Sequence, residues 1–159
     1  MNPFEIRAYR KDDLPFLKDL VYQMHERLRP FDTYLPPANH IIDDYFGYLI
    51  DTSIATSGTF FVAEADDRIV GYLCLFGLVS PPEPDQYPDK YSAVADIYVL
   101  TEYEDRGIGT ALMLRAEDHA RANGAKKIEL NVLAENRDAV EFYRRLGYRE
   151  RIKVLTKAL

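Results

Sequence analysis

A chain of 159 residues, 47% hydrophobic and 29% charged, is long enough for one domain with a sizeable core and too balanced to stay disordered. Its net charge of −6 argues against a nonspecific nucleic-acid partner, whose phosphates need a basic surface. A single cysteine, Cys74, excludes an internal disulfide, and no stretch reaches the ~20 apolar residues of a membrane span.

Met1–Arg10 lacks an apolar signal core, so no membrane partner and a cytoplasmic location are expected. Phe4–Tyr9 alternates like a first strand. Asp12 or Asp13 can cap a helix that holds Pro15 in its first turn, repeats Leu14, Leu17, Val21, Met24 and Leu28, and stops at Pro30. A second helix is predicted over about Ala38–Asp51. Strands at Thr59–Ala65 and Ile69–Leu78 follow, joined by the hairpin turn Asp66-Asp67-Arg68. Ser80–Tyr91 holds Pro81, Pro82, Pro84 and Pro88 and reads as a long loop, of a length that is often functional.

Next come a strand over Ala93–Val99, a turn at Gly107 and Gly109, and a helix ending at Asn123-Gly124. A strand at Ile128–Leu133 and a helix capped by Asn136 and closed at Gly147 complete the series. The tail, Tyr148–Leu159, alternates basic and apolar residues and predicts a final strand. With no repeats or composition shifts, residues 1–159 read as one α/β or α+β domain with a mixed sheet.

The strand–glycine turn–helix unit is the most telling segment. Such a turn exposes successive backbone N–H groups at the positive end of a helix, an arrangement that binds phosphate oxygens, although strand-then-G-x-G alone also describes an ordinary tight connection. The segments that follow add specificity. Gly107 and Gly109, then Asn136, Ala139, Phe142, Tyr143, Gly147 and Tyr148, resemble in order the two motifs of the GNAT superfamily of acetyl-CoA-dependent N-acetyltransferases. Those motifs are a Gln/Arg-x-x-Gly-x-Gly/Ala loop and an Asn-x-x-Ala-x-x-Phe-Tyr-x-x-x-Gly-Phe/Tyr helix. The resemblance is detailed over residues 93–159 and architectural before that. Glu104 stands where the family usually has Gln or Arg, so its side chain is expected to face solvent or pair with Arg106.

The resemblance implies a splayed sheet of six or seven strands flanked by about four helices, with CoA in the opening between the strands at 94–99 and 128–133. Main-chain groups of Glu104, Asp105, Arg106, Gly107, Ile108, Gly109 and Thr110 would meet the pyrophosphate. Those of Ile97, Tyr98 and Val99 would pair with the pantetheine arm, Val99 N–H would donate to the oxyanion, and Asn136 would contact the arm besides capping its helix. Tyr143 would be the general acid at the sulfur, because a phenol is protonated at neutral pH; without the motif it reads as a packed helix aromatic. Many relatives carry Glu-Asp where this chain has Ala95-Asp96. Asp96, on the face of Tyr98, is then either the base or cation anchor, or a strand carboxylate paired with a basic residue, with ordered water and no dedicated base as a further alternative.

His25, His40 and His119 show no metal-ligand spacing, so no metal is expected, and no nucleophile elbow or Walker loop is present. The acceptor is expected to be a small-molecule or peptide primary amine. Its pocket is expected from the Ser80–Tyr91 loop and the Ala38–Asp51 helix, with Tyr34, Tyr45, Tyr48, Tyr87, Tyr91, Asp43 and Asp44 as lining candidates. Family members are often dimers, so a homodimer is an expectation that the residues themselves do not establish. A noncatalytic acyl-CoA-binding or regulatory module is the competing reading, marked by Glu104 and Ala95 and opposed by Tyr143.

Overall fold

In the computed structural model, which describes residues 3–159, the N-terminal alternation becomes β1 (Glu5–Ala8); Met1 and Asn2 lie outside the described residues. The first helix, α1 (Leu14–Leu28), buries Leu17, Val21 and Met24 of the predicted stripe and adds Leu20, while Leu14 and Leu28 at its two ends are half-buried. Asp13 does not cap it by a side-chain bond. Its carboxylate instead accepts from Arg7 at 2.7 and 3.2 Å and from the Arg10 amide at 2.6 Å. Arg7 also donates to Glu64 at 2.8 Å, so one guanidinium ties β1 to the start of α1 and to the next strand. That guanidinium holds the Asp13 carboxyl below its usual range.

The second helix, α2 (Ala38–Ala55), runs one turn longer than its spacing suggests and leads into the hairpin of β2 (Thr59–Ala65) and β3 (Arg68–Val79). Asp66 and Asp67 have φ of +50° and +59°, the left-handed pair that a tight two-residue hairpin turn requires. The proline-rich loop then leads to β4 (Tyr91–Val99), α3 (Ile108–Ala122), β5 (Ile128–Leu130) and α4 (Arg137–Arg145). The sheet order is β1-β2-β3-β4-β5, antiparallel throughout except for the parallel β4–β5 pair.

Helices cover both faces. On one, Leu17, Val21 and Leu49 from α1 and α2 meet Phe60, Tyr72 and Cys74. On the other, Ile108, Leu112 and Met113 of α3 meet Phe61, Leu73 and Val94, with Phe142 and Tyr143 of α4 packed against that cluster.

The mixed sheet and the four α-helices match expectation; the strand count does not. Five strands are formed among the described residues rather than six or seven, and Tyr148–Leu159 is no strand. Alternation makes a strand only where a sheet edge accepts it. Here β5 offers three paired residues, half the predicted length, and Ile152, Val154 and Leu155 of the tail stand exposed with no second layer to face. An Arg151–Glu129 ion pair at 3.5 Å connects the tail to β5.

Candidate active site

The parallel β4–β5 pairing covers only Ser92–Val94 against Ile128–Leu130, so the two strands part beyond Val94. The edge of β4 from Ala95 to Val99 is left facing a gap. Leu100 donates to Val70 at 2.8 Å across the β3 side. Because backbone groups alternate between the two edges of a strand, the main chains of Val99 and Ile97 therefore face the gap and that of Tyr98 faces β3. Of the three residues expected to meet a pantetheine arm through the main chain, Ile97 and Val99 turn their backbone groups toward the gap and Tyr98 turns its own toward β3.

A bulge decides where Asp96 points. Cys74 pairs with Asp96 and Leu75 with Val94, leaving Ala95 without a partner. Val94 lies in the core beneath α3, whereas Ala95 packs on the α1–α2 side and Asp96 reaches α2. Two successive residues thus share one face, and without the extra residue Asp96 would turn to the opposite side.

Asp96 is buried, with 8% of its surface exposed. Tyr45 of α2 donates to it at 2.8 Å and Tyr72 of β3 at 3.5 Å. Burial pushes its carboxyl up to about 7, against the pull of the two hydroxyls. No Lys, Arg or His among the described residues is hydrogen-bonded to it, so the ion-paired strand carboxylate is not what forms. Tyr143 approaches from the α4 side and is also mostly buried; burial first, then the Asp96 charge, pushes its hydroxyl up to about 12. The two predicted catalytic residues therefore lie within electrostatic reach of each other, on opposite faces of one opening.

At the end of β4 the chain makes the glycine turn. Tyr103 anchors it by donating to Asp66 at 2.7 Å, with the Arg106 guanidinium 4.8 Å over its ring. Asp105 and Gly107 take φ of +58° and +81°. Gly107 caps α3 without a side chain, which leaves the first amides of the helix, Ile108, Gly109 and Thr110, outside its internal bonding. A Cβ at Gly107 would meet no protein atom within 4 Å, so the space before the helix is open. Gly109 has a different reason to be glycine: a Cβ there would sit 3.3 Å from the Phe142 ring, so its absence lets α3 and α4 approach.

Glu104, whose side chain is 34% exposed, does not pair with Arg106. It is bonded to Arg27 at the end of α1, whose guanidinium also lies 6.0 Å over the Tyr98 ring, while Arg106 donates to the Glu102 carbonyl at 2.8 Å. Asn136 accepts from Ala139 at 3.4 Å and so caps α4 as its position suggests.

The acceptor-side candidates divide. Tyr48 stacks on Tyr45 at 6.3 Å and meets Phe76 edge-on at 5.8 Å. Asp43 pairs with Lys18, and Tyr91 lies 5.1 Å from the Lys127 ammonium. Tyr34 and Tyr87 are exposed. The bonds of Tyr45 and Tyr72 to Asp96 and of Arg27 to Glu104 carry no local sequence signal, since each spans 24 residues or more.

A family model described as the acetyltransferase (GNAT) family matches residues 20–148. An uncharacterised N-acetyltransferase of Methanocaldococcus jannaschii is 32% identical over 152 residues; the match takes in 95% of this chain but 63% of that protein. The crystal structure of a mutant protein from Bacillus halodurans superposes with a TM-score of 0.79 at 22% identity, over 98% of this chain and 99% of that one. An aminoglycoside N-acetyltransferase solved in complex with CoA gives 0.71 at 17% identity, over 98% and 94%. At those identities the likeness is one of fold.

Proposed function

The chain belongs to the GNAT family of acetyltransferases, and from that premise we propose that it transfers the acetyl group of acetyl-CoA to a primary amine by direct attack on the thioester. One observation supports the reading: Asp96, buried on the α2 face of a strand whose other edge is unpaired beyond Val94, and Tyr143 of α4 lie within electrostatic reach of each other, on a strand that leads into an open glycine turn at a helix N-terminus. The residues fit the co-substrate. Main-chain amides from Asp105 to Thr110 would hold the pyrophosphate, where the open space at Gly107 admits it. Ile97 and Val99 would pair with the pantetheine amides as an added strand does.

Each step then has a residue. Asp96 takes a proton from the attacking nitrogen, which must be neutral to form its bond to the carbonyl carbon. The Val99 N–H donates to the oxyanion as charge develops there. Tyr143 gives its proton to the sulfur as the carbon–sulfur bond breaks. The acceptor reaches Asp96 from the α1–α2 side, since α4 and the cofactor edge occupy the other. A cationic amine would suit the tyrosine-rich surface of α2. The charge pair of Glu104 with Arg27 removes one mark of a noncatalytic module, and the retained Asp96 and Tyr143 oppose that reading.

A panel of polyamines, aminoglycoside-like amines, lysine peptides and peptide N-termini, assayed for free thiol released from acetyl-CoA, tests the proposal. Amine-dependent release is expected. CoA binding with no release across the panel would return the reading to the noncatalytic module. For the cofactor side, Gly107→Val should weaken CoA binding by about ten-fold or more, the loss expected for one phosphate–amide bond to a charged group. Calorimetry measures it, with circular dichroism to confirm folding because valine is strained at a φ of +81°. Unchanged affinity in the folded variant would remove the turn from the site.

A further inference from the structure

Asp96 has few neighbours that can hold it, and they are not equivalent. Tyr72 offers the longer bond, 3.5 Å, from a side chain with no exposed surface inside the sheet core. Cys74, across the strand pair, is buried with its sulfur 4.0 Å from the Leu49 carbonyl oxygen. Tyr143 faces Asp96 from α4. Only Tyr45 makes a short bond, 2.8 Å, and it does so from a helix on the acceptor side. Its ring stacks on Tyr48, which is 54% exposed, and lies 6.3 Å from the ring of His25 of α1, itself bonded to the Pro36 carbonyl.

A carboxylate this buried needs donors to stay ionised, and it needs a fixed direction to meet a nitrogen in the gap. Resting on the proposed role of Asp96, we propose that Tyr45 is the positioning residue of the transfer: its hydroxyl holds the Asp96 carboxylate ionised and aimed at the gap, coupling α2 to the base. Tyr72 supplies the weaker, fixed half of the same cradle. The bulge at Ala95 is what brings Asp96 to the α2 face, so the cradle belongs to this strand irregularity and not to the regular alternation of β4.

The test separates this role from structural packing. Tyr45→Phe keeps the ring and its stacking on Tyr48 and deletes only the hydroxyl. Titration of the Asp96 carboxyl carbon by NMR in the whole protein should show its midpoint rising by about one pH unit or more, the effect of losing a hydrogen bond to a charged group. The rising limb of the pH–rate profile should move by the same amount. At pH 6.5 that is about a ten-fold loss, largely recovered at high pH. Tyr72→Phe should move both by less. An unmoved midpoint in folded Tyr45→Phe overturns the proposal. A midpoint that moves while Asp96→Asn leaves the rate untouched places the failure in the proposed role of Asp96, and so overturns the coupling to transfer while leaving the hydrogen bond.

Discussion

Tyr143→Phe is expected to lower turnover by roughly ten- to a thousand-fold while leaving the fold and the affinity for CoA intact. The substitution removes one hydroxyl and keeps the ring, which packs with Phe142 at 5.2 Å and Tyr148 at 6.0 Å between centroids. With its hydroxyl pushed up to about 12, Tyr143 holds its proton throughout the range in which the enzyme would be assayed. In the proposed transfer it would therefore be a donor to the departing thiolate and not a base. The loss should appear in kcat and not in the KM for acetyl-CoA. An acyl donor whose thiol is more acidic needs less help in leaving, so the variant should recover part of its rate with such a thioester. An unchanged kcat at saturating substrate would reduce Tyr143 to a packing residue.

Asp96→Asn should depress the rate most at neutral pH. The wild-type carboxyl, raised to about 7 by burial, gains its negative charge as pH rises through that value. The rate of the wild-type protein should climb over the same interval, and the variant should lack that limb. Free primary amines resembling lysine titrate near ~10, so the neutral nucleophile grows more abundant toward that pH without any base. The deficit of the variant should shrink accordingly, while CoA binding stays unchanged by calorimetry. A deficit of constant size at every pH would make Asp96 an anchor for the cationic substrate, and no deficit would remove it from the chemistry.

What the sequence made legible was local. The Asp66-Asp67 turn, the middle of the α1 stripe, the Asn136 cap and the turn at Gly107 are each decided within a few residues, and each forms. The electrostatic partnerships were not legible. Glu104 finds Arg27, 77 residues away, because α1 ends beside the turn, and nothing in the loop signals this. Asp96 was readable as a carboxylate on the Tyr98 face, yet its two tyrosine donors depend on how α2 lies on the sheet and on a single unpaired Ala95. Gly109 also lies close to Phe142, a packing requirement that motif spacing does not reveal. The tail failed for the opposite reason: its local pattern suits a strand, but the sheet offers β5 too short an edge.

The parting of β4 from β5 leaves a strand protected on one side only, and amide hydrogen exchange should read this as an alternation in time. Tyr98 and Leu100, whose main chains face β3, should exchange slowly in the free protein. Ile97 and Val99, turned toward the gap, should exchange rapidly beside them. Saturating CoA should slow the fast pair and leave the slow pair nearly unchanged, converting a two-residue rhythm into uniform protection. Slow exchange at Val99 without ligand would mean that the edge is already occupied by the protein itself.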